Sequence, residues 1–300
     1  MAQIFITGGT GFVGQALVPD LIKAGHQLTL LTRNPDKAAK RLGEGGRSVR
    51  FVRSVDELMD MPEGVINLSG LGIADARWTD RRKRELRASR IGVTDALATV
   101  LERLPGEPQW VISGSAVGYY GPQATGTLSE DAPAGWDFAA RLCTDWEAAS
   151  ERLGGEQTLR YQLRIGVVMG RPGGFLGRLE TPFKLGLGGP LGHGRQMLSW
   201  IHRDDLVRMI RWCMESNPPA GAYNAVAPNP VSNQAFTEAM AHAVRRPAWF
   251  RVPEAPMRLV LGELASLLFE GQAVVPTRAL AEGFEFKHPT LPEALEGLFR

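Results

Sequence analysis

Cysteine is nearly missing from this 300-residue chain, which has two, Cys143 and Cys213. They stand far apart and show no C-x-x-C spacing, which excludes a zinc ribbon or a dithiol redox centre. Each lies among apolar or helical residues, so both are expected as buried free thiols. A charge excess of one sign is also missing: 34 basic residues face 32 acidic ones, a formal net charge of +2. That balance argues against a chain built to grip nucleic acid. Long apolar runs are absent as well. Leu259 to Phe269 is interrupted by Glu263 and is too short to span a bilayer. Met1-Ala2-Gln3-Ile4 has no basic stretch followed by an apolar one, so a soluble cytoplasmic protein is expected. Of the five histidines, His26, His242 and His288 form no ligand spacing, and no metal site is expected. Lysine is scarce too, six against 28 arginines.

Glycine, by contrast, is abundant. Thirty-five glycines make about 12% of the chain against a usual ~7%, with no G-x-y period that would imply collagen. They are unevenly placed. Ile4-Phe5-Ile6, a short apolar strand, runs straight into Thr7-Gly8-Gly9-Thr10-Gly11-Phe12-Val13-Gly14. Apolar residues then recur at helical spacing through Val13, Leu17, Leu21 and Ile22 up to Gly25, a helix-ending residue. A second strand follows at Leu28–Leu31, which completes a βαβ unit and requires a parallel pair with a right-handed crossover. The alternation continues with strands at 49–52, 65–68, 110–113 and 159–168 and helices at about 80–104 and 137–153. Several of the strands are unbroken apolar runs, as in a sheet covered on both faces.

The expected fold class is therefore α/β, a Rossmann-type doubly wound parallel sheet. After Gly170 the texture changes to glycine- and proline-rich loops and then to helices at about 204–216, 233–244, 256–269 and 291–299. Residues 1–170 are expected to bind a dinucleotide, with a return of strands and a helix from 195–230. Residues 171–300 are expected to form a smaller, mostly helical substrate portion.

Gly8-x-x-Gly11-x-x-Gly14 follows a strand and opens a helix, the context in which such a triplet binds a pyrophosphate. Gly8 permits the tight turn, Gly11 the approach of backbone to phosphate, and Gly14 close helix packing. Thr7 to Gly14 is thus the expected cradle, with Leu68, Ser69 and Gly70 beside it at the end of the fourth strand. Nineteen residues after Gly14, where an NAD site carries Asp or Glu about 20 residues past the glycines, stands Arg33. A guanidinium pairs with a 2′-phosphate that a carboxylate repels, so the expected cofactor is NADP(H).

These motifs, together with Asn67-Leu68-Ser69-Gly70, Ser113-Gly114-Ser115-Ala116-Val117-Gly118-Tyr119-Tyr120-Gly121, Arg164 to Gly170, Trp200 to Leu206 and Tyr223-Asn224-Ala225, resemble the extended short-chain dehydrogenase/reductase family. More narrowly, the chain looks like its nucleotide-sugar-epimerase-like subgroup labelled "epimerase family protein". Trp146-Glu147, the Gly-Leu-Gly-Gly-Pro loop and the stretches 268–272 and 289–295 carry that closer likeness. The resemblance implies catalysis by serine, tyrosine and lysine, the last two as Tyr-x-x-x-Lys on one helix face. Ser115 matches the serine. The tyrosine and lysine positions fall on Ala139 and Cys143, and none of the four tyrosines has a lysine four residues on.

Tyr119 and Tyr120 are the nearest substitutes for the proton donor. Three readings stay open: an oxidoreductase acting on an unidentified small molecule, a nucleotide-sugar epimerase with rearranged acid/base groups, and an NADPH-binding sensor or scaffold without turnover. A small-molecule substrate, nucleotide-sugar-like if the resemblance extends so far, is the expected partner, with neither nucleic acid nor membrane, and an oligomer is open. Arg90, on a basic helix after the fourth strand, is expected to reach the cofactor's pyrophosphate. Trp78, His193, Gln196 and Trp200 are expected at the substrate, His193 on the 186–194 glycine loop. Asp204 is expected to cap the helix that follows it, and Glu130 to lie in a solvent-exposed turn.

Overall fold

The structure, a computed structural model, describes residues 1–300 apart from the side chain of Glu44. Seven strands form one parallel sheet: β1 Gln3–Thr7, β2 Gln27–Leu31, β3 Val49–Val52, β4 Gly64–Asn67, β5 Trp110–Ala116, β6 Leu159–Ile165 and β7 Gly221–Ala225. Their order is 3-2-1-4-5-6-7, with every neighbouring pair parallel. Parallel neighbours need crossovers, which the helices supply: α1 Gly14–Lys23, α2 Pro35–Leu42, α3 Asp80–Arg87, α4 Val93–Leu101 and α5 Phe138–Ser150.

Alternation along each strand sorts side chains to the two faces. In β1, Ile4 and Ile6 join Leu17 and Leu21 of α1 on one face, whereas Phe5 joins Leu97 and Leu101 of α4 on the other. Both faces are buried, which is why these strands read as continuous apolar runs.

The expected helix 80–104 is two helices, α3 and α4, joined by a π-helical turn over Ala88–Gly92. The expected strand 159–168 likewise divides, because Val167–Met169 leaves the main sheet to pair with Trp200–His202. The remaining helices are α6 Gly174–Lys184, α7 Arg203–Ser216, α8 Asn233–Val244, α9 Glu254–Leu261, α10 Ser266–Phe269, α11 Thr277–Ala281 and α12 Leu291–Phe299. α7 packs on the β1 face of the sheet through Leu206, Met209 and Ile210. β7 extends the sheet beside β6, so chain from beyond residue 200 completes the parallel sheet. A second core, built on Trp200, Phe236, Met240 and Leu295, holds α6, α8 and α12 together.

One cap differs from expectation. His202, not Asp204, caps α7, its Nδ1 accepting the Asp204 N–H at 3.1 Å. At α12 the Thr290 hydroxyl donates to Glu293 at 2.6 Å and caps no backbone amide. Among the described residues, no helix is long and apolar enough to cross a membrane.

Candidate active site

The strand order reverses between β1 and β4, and in open parallel sheets ligands bind outside the carboxyl ends at such a point. There the loop after β1 turns through Gly8, whose φ is +71°. A Cβ at Gly8 would come within 2.3 Å of the Leu68 carbonyl oxygen, and one at Gly14 within 2.3 Å of the Gly9 carbonyl oxygen. Two backbones thus touch where β1 meets β4, and α1 starts hard against the loop. No side chain caps α1. The amide hydrogens of Phe12 and Val13 find no acceptor among the described residues, which leaves them for an anion.

Thr7 anchors this floor. Its fully buried hydroxyl donates to Asn67 Oδ1 at 2.7 Å and accepts the Ser69 N–H at 3.2 Å. Asn67 Nδ2 in turn donates to Thr94 and Ser113 at 2.8 and 3.2 Å. The Thr7 side chain is therefore committed to the fold, a correction to its place in the cradle. Asn67, which sequence reasoning named only as part of a motif, is the hub.

Gly9 packs on Leu30, Gly11 closes the turn by donating to the Gly8 carbonyl at 2.9 Å, and Phe12 lies against Gly174 and under the Arg203 guanidinium. Thr10 offers its carbonyl to Gln15 and, at 3.4 Å, to Arg41. Arg33 is exposed just beyond β2. Asn34 beside it caps α2 by accepting the Lys37 N–H at 3.0 Å. Arg41 carries no local signal in the sequence, standing ten residues past the end of β2, and only α2 carries it back to the glycine loop.

Arg90 sits in the π-helical turn and donates to the carbonyls of Leu71 and Leu86 at 3.0 and 3.4 Å. It lies over the Trp146 ring and against Gly70. Burial pushes its pKa below the usual arginine value.

The second constellation lies on β5, α5 and β6. Ser115 is 3% exposed, and its hydroxyl donates to Glu147 Oε1 at 2.6 Å. Glu147 is gripped by Arg164 through Nε–Oε1 and Nη2–Oε2, both 3.0 Å. Arg164 Nη1 donates to the Tyr120 hydroxyl and to the Glu130 carbonyl, each at 3.0 Å. Its guanidinium covers the Tyr119 ring 3.4 Å from the centroid.

The two tyrosines thus part company. Tyr120 gives its proton to Asn224 Oδ1 at 2.6 Å, and burial raises its pKa, so it is a structural hydroxyl and unavailable as a donor. The Tyr119 hydroxyl has no hydrogen-bond partner among the described residues. Ala139 and Cys143 face the 115–121 turn, and burial pushes the Cys143 thiol up to about 12. Glu130 is buried rather than solvated, holding the backbone amides of Asn224 and Arg278 at 3.0 and 3.3 Å.

Three of the four expected substrate residues belong to the core. Trp78 donates to the Ile73 carbonyl at 2.9 Å and packs edge-on against Phe138. Trp200, fully buried, donates to the Asn229 carbonyl at 3.0 Å. Gln196 ties the Leu191 and Leu268 carbonyls together. Only His193 is exposed, on a loop pinned by Gly192 N–H to Val252 and Leu191 N–H to Asn233.

His202 and Asp204, with His288 from far along the chain, bring donor atoms within 4.8 Å of one another. The lone pair of His202 Nδ1 is already engaged by the helix cap, so the trio is read as structural.

Comparison with known proteins extends the geometry. Residues 4–225 match the NAD dependent epimerase/dehydratase family, and residues 252–298 match a domain of unknown function, DUF1731. The mouse epimerase family protein SDR39U1 is 38% identical over 298 residues, covering 98% of each chain. The crystal structure of human epimerase family protein SDR39U1 (isoform 2) with NADPH superposes with a TM-score of 0.89 at 36% identity, covering 99% of each chain. MoeE5 in complex with UDP-glucuronic acid and NAD, 21% identical with a TM-score of 0.77 over 99% of this chain and 97% of its own, shares the fold. With a doubly wound sheet, a glycine loop at its switch point and these matches, the chain belongs to the NAD-dependent epimerase/dehydratase family of extended short-chain dehydrogenases/reductases.

Proposed function

We propose that this protein binds NADP(H) and acts as an oxidoreductase on a small molecule bearing a hydroxyl or carbonyl group. The observation that carries the reading is the pairing of an uncapped α1 beside a glycine turn with a buried Ser115 hydroxyl bonded to a carboxylate. Such a pair can move a proton at the substrate, while the dinucleotide supplies or accepts hydride.

The residues present fit the cofactor. The Gly8–Gly14 loop and the free amides of Phe12 and Val13 would hold the pyrophosphate, with Leu68, Ser69 and Gly70 along its edge. Arg90, without a carboxylate partner among the described residues, adds positive charge beside Gly70. Arg33 at the end of β2 and Arg41 on α2, which reaches back to the Thr10 carbonyl, would hold the 2′-phosphate. Ser115 and Tyr119 are the hydroxyls placed at the substrate, with His193 on the loop above it. The related human protein's NADPH supports this cofactor, and cytoplasm is the compartment proposed, where the two buried cysteines stay reduced.

The test is a paired titration with NADPH and NADH. Arg33→Asp and Arg41→Ala should each weaken NADPH roughly tenfold or more, as expected from loss of a charge-assisted contact, and leave NADH nearly unchanged. Equal losses for both cofactors would remove the 2′-phosphate assignment. A second reading, an NADPH sensor without turnover, is favoured by Ala139 and Cys143 at the tyrosine and lysine positions. NADPH consumption in a mixture of small carbonyl compounds separates the two, and epimerisation without net consumption would point to the third.

A further inference from the structure

We propose that Glu147 takes up the proton of the reaction through Ser115, so that a Ser115–Glu147 relay clamped by Arg164 stands in for the family's tyrosine and lysine. The inference rests on the oxidoreductase reading above. It begins with the direction of one hydrogen bond. Ser115 has a single hydroxyl proton and, 2.6 Å away, a Glu147 oxygen that as carboxylate can only accept. That separation belongs to the short, charge-assisted class of O–H···O⁻ bonds. With its proton turned toward Glu147, Ser115 presents lone pairs to anything beside it and is set to accept a hydrogen bond from a substrate hydroxyl.

The proton step follows directly. As the substrate's O–H bond breaks, its proton forms a new O–H bond on Ser115 Oγ, while the serine's original proton passes to Glu147 Oε1. The carbinol carbon becomes a carbonyl; its hydride leaves with the electron pair to oxidised NADP(H), the two-electron partner. Glu147, neutralised, returns its proton to water, to which 14% of its side chain is open. Reduction runs the same transfers backwards.

Arg164 suits Glu147 to this task and to no looser one. Its two parallel contacts fix the carboxylate plane. The guanidinium is itself held by Tyr120, the Glu130 carbonyl and the Tyr119 ring, so the carboxylate cannot swing from Ser115. A protonated Glu147 beside a permanent cation is a willing donor, which returns the proton quickly. No other group on these elements competes: Ala139 has no proton, the Cys143 thiol is pushed up to about 12 by burial, and Tyr120 has given its proton to Asn224. Tyr119 is the one rival.

The experiment uses the full chain with NADPH and 2,3-butanedione for reduction, and with NADP⁺ and acetoin for oxidation. Glu147→Gln should lower kcat on both by about 100-fold or more, the scale of general acid–base catalysis, with the NADPH Kd within about twofold of wild type. Glu147→Asp should recover part of the loss, and the pH-dependent limb of the wild-type rate should vanish in Glu147→Gln. Infrared difference spectra of the protein alone, taken at fixed pH, supply a readout free of turnover. Ser115→Ala should shift the Glu147 carboxylate stretching band, because the carboxylate loses a hydrogen-bond donor.

A band indifferent to Ser115→Ala overturns the relay whatever the turnover. So does a Glu147→Gln protein that keeps its rate while Tyr119→Phe loses it, since the proton then belongs to the tyrosine. A wild type that binds NADPH and turns over neither probe counts against the oxidoreductase reading, and against the relay with it.

Discussion

Thr7 supports the dinucleotide crevice from below without facing it. Its fully buried hydroxyl gives a proton to Asn67 and takes one from Ser69. Thr7→Val is nearly isosteric yet leaves Asn67 Oδ1 and the Ser69 amide unpaired. Each buried polar group left so costs about 1–3 kcal/mol, so urea denaturation should show a loss of about 2–6 kcal/mol for the two. NADPH binding should weaken as the Leu68–Gly70 edge loosens, and wild-type stability in Thr7→Val would show that the two groups find other partners. At this scale the glycines were legible in the sequence, because a residue without Cβ states a purely local need. Glu130 was not. Its partners Asn224 and Arg278 lie 94 and 148 residues away, and nothing near Glu130 reveals that the chain returns to cover it. Glu147 was hidden in the same way: it read as a helix residue beside a tryptophan until β6 brought Arg164 against it.

Helix termini and turns decide much of what periodicity could not. Apolar spacing located α3 and α4 as one helix, because an extra residue in a π-helical turn shifts the pattern by less than a helix face. That turn carries Arg90 to Gly70, so the misread boundary is also the one that matters for the site. At α7 the cap is His202, 5% exposed, whose pKa is pushed down to about 4, first by burial and then by the His288 ring 3.9 Å away, against the opposing pull of Asp204 and Asp205. An unfolded histidine titrates near 6.5. Between that pH and about 4 the folded state binds fewer protons than the unfolded one, so stability should be level above pH 6.5 and fall as the pH drops through this window. Allowing for solvent screening, the loss is on the order of 2 kcal/mol. His202→Asn keeps a capping side chain and removes the titration, so its denaturation midpoint should change less between pH 7 and pH 4.5. Identical slopes in the two proteins would place the pH dependence elsewhere.

The division expected near residue 170 includes a return of strands and a helix from 195–230, and the two portions are interleaved beyond that return. β7 and α7 come from beyond residue 200, and the last 50 residues reach back into the first half at several buried points. Ala273–Val274 pairs in parallel with Thr127–Leu128, Gln272 donates to the Val117 carbonyl at 2.9 Å, and Ser199 is bonded to both Gln272 and Val274. Glu130 is satisfied only when Asn224 and the Arg278 amide are both in place. Contacts of this kind are invisible to local pattern, since each joins segments that look complete on their own. They also couple the folding of the two matched regions. Removing residues 251–300 would strip a buried carboxylate of one donor and Asn224 of its bond to the Val275 carbonyl, besides exposing Tyr120 and Val226, which pack on Val274. The full chain should therefore melt in one calorimetric transition with a ratio of calorimetric to van't Hoff enthalpy near one, and the 1–250 fragment should melt well below it and bind NADPH weakly. Two resolved transitions, with the lower one leaving NADPH binding intact, would mean that the nucleotide layer folds alone and that the C-terminal region is an attachment to the site and not a part of it.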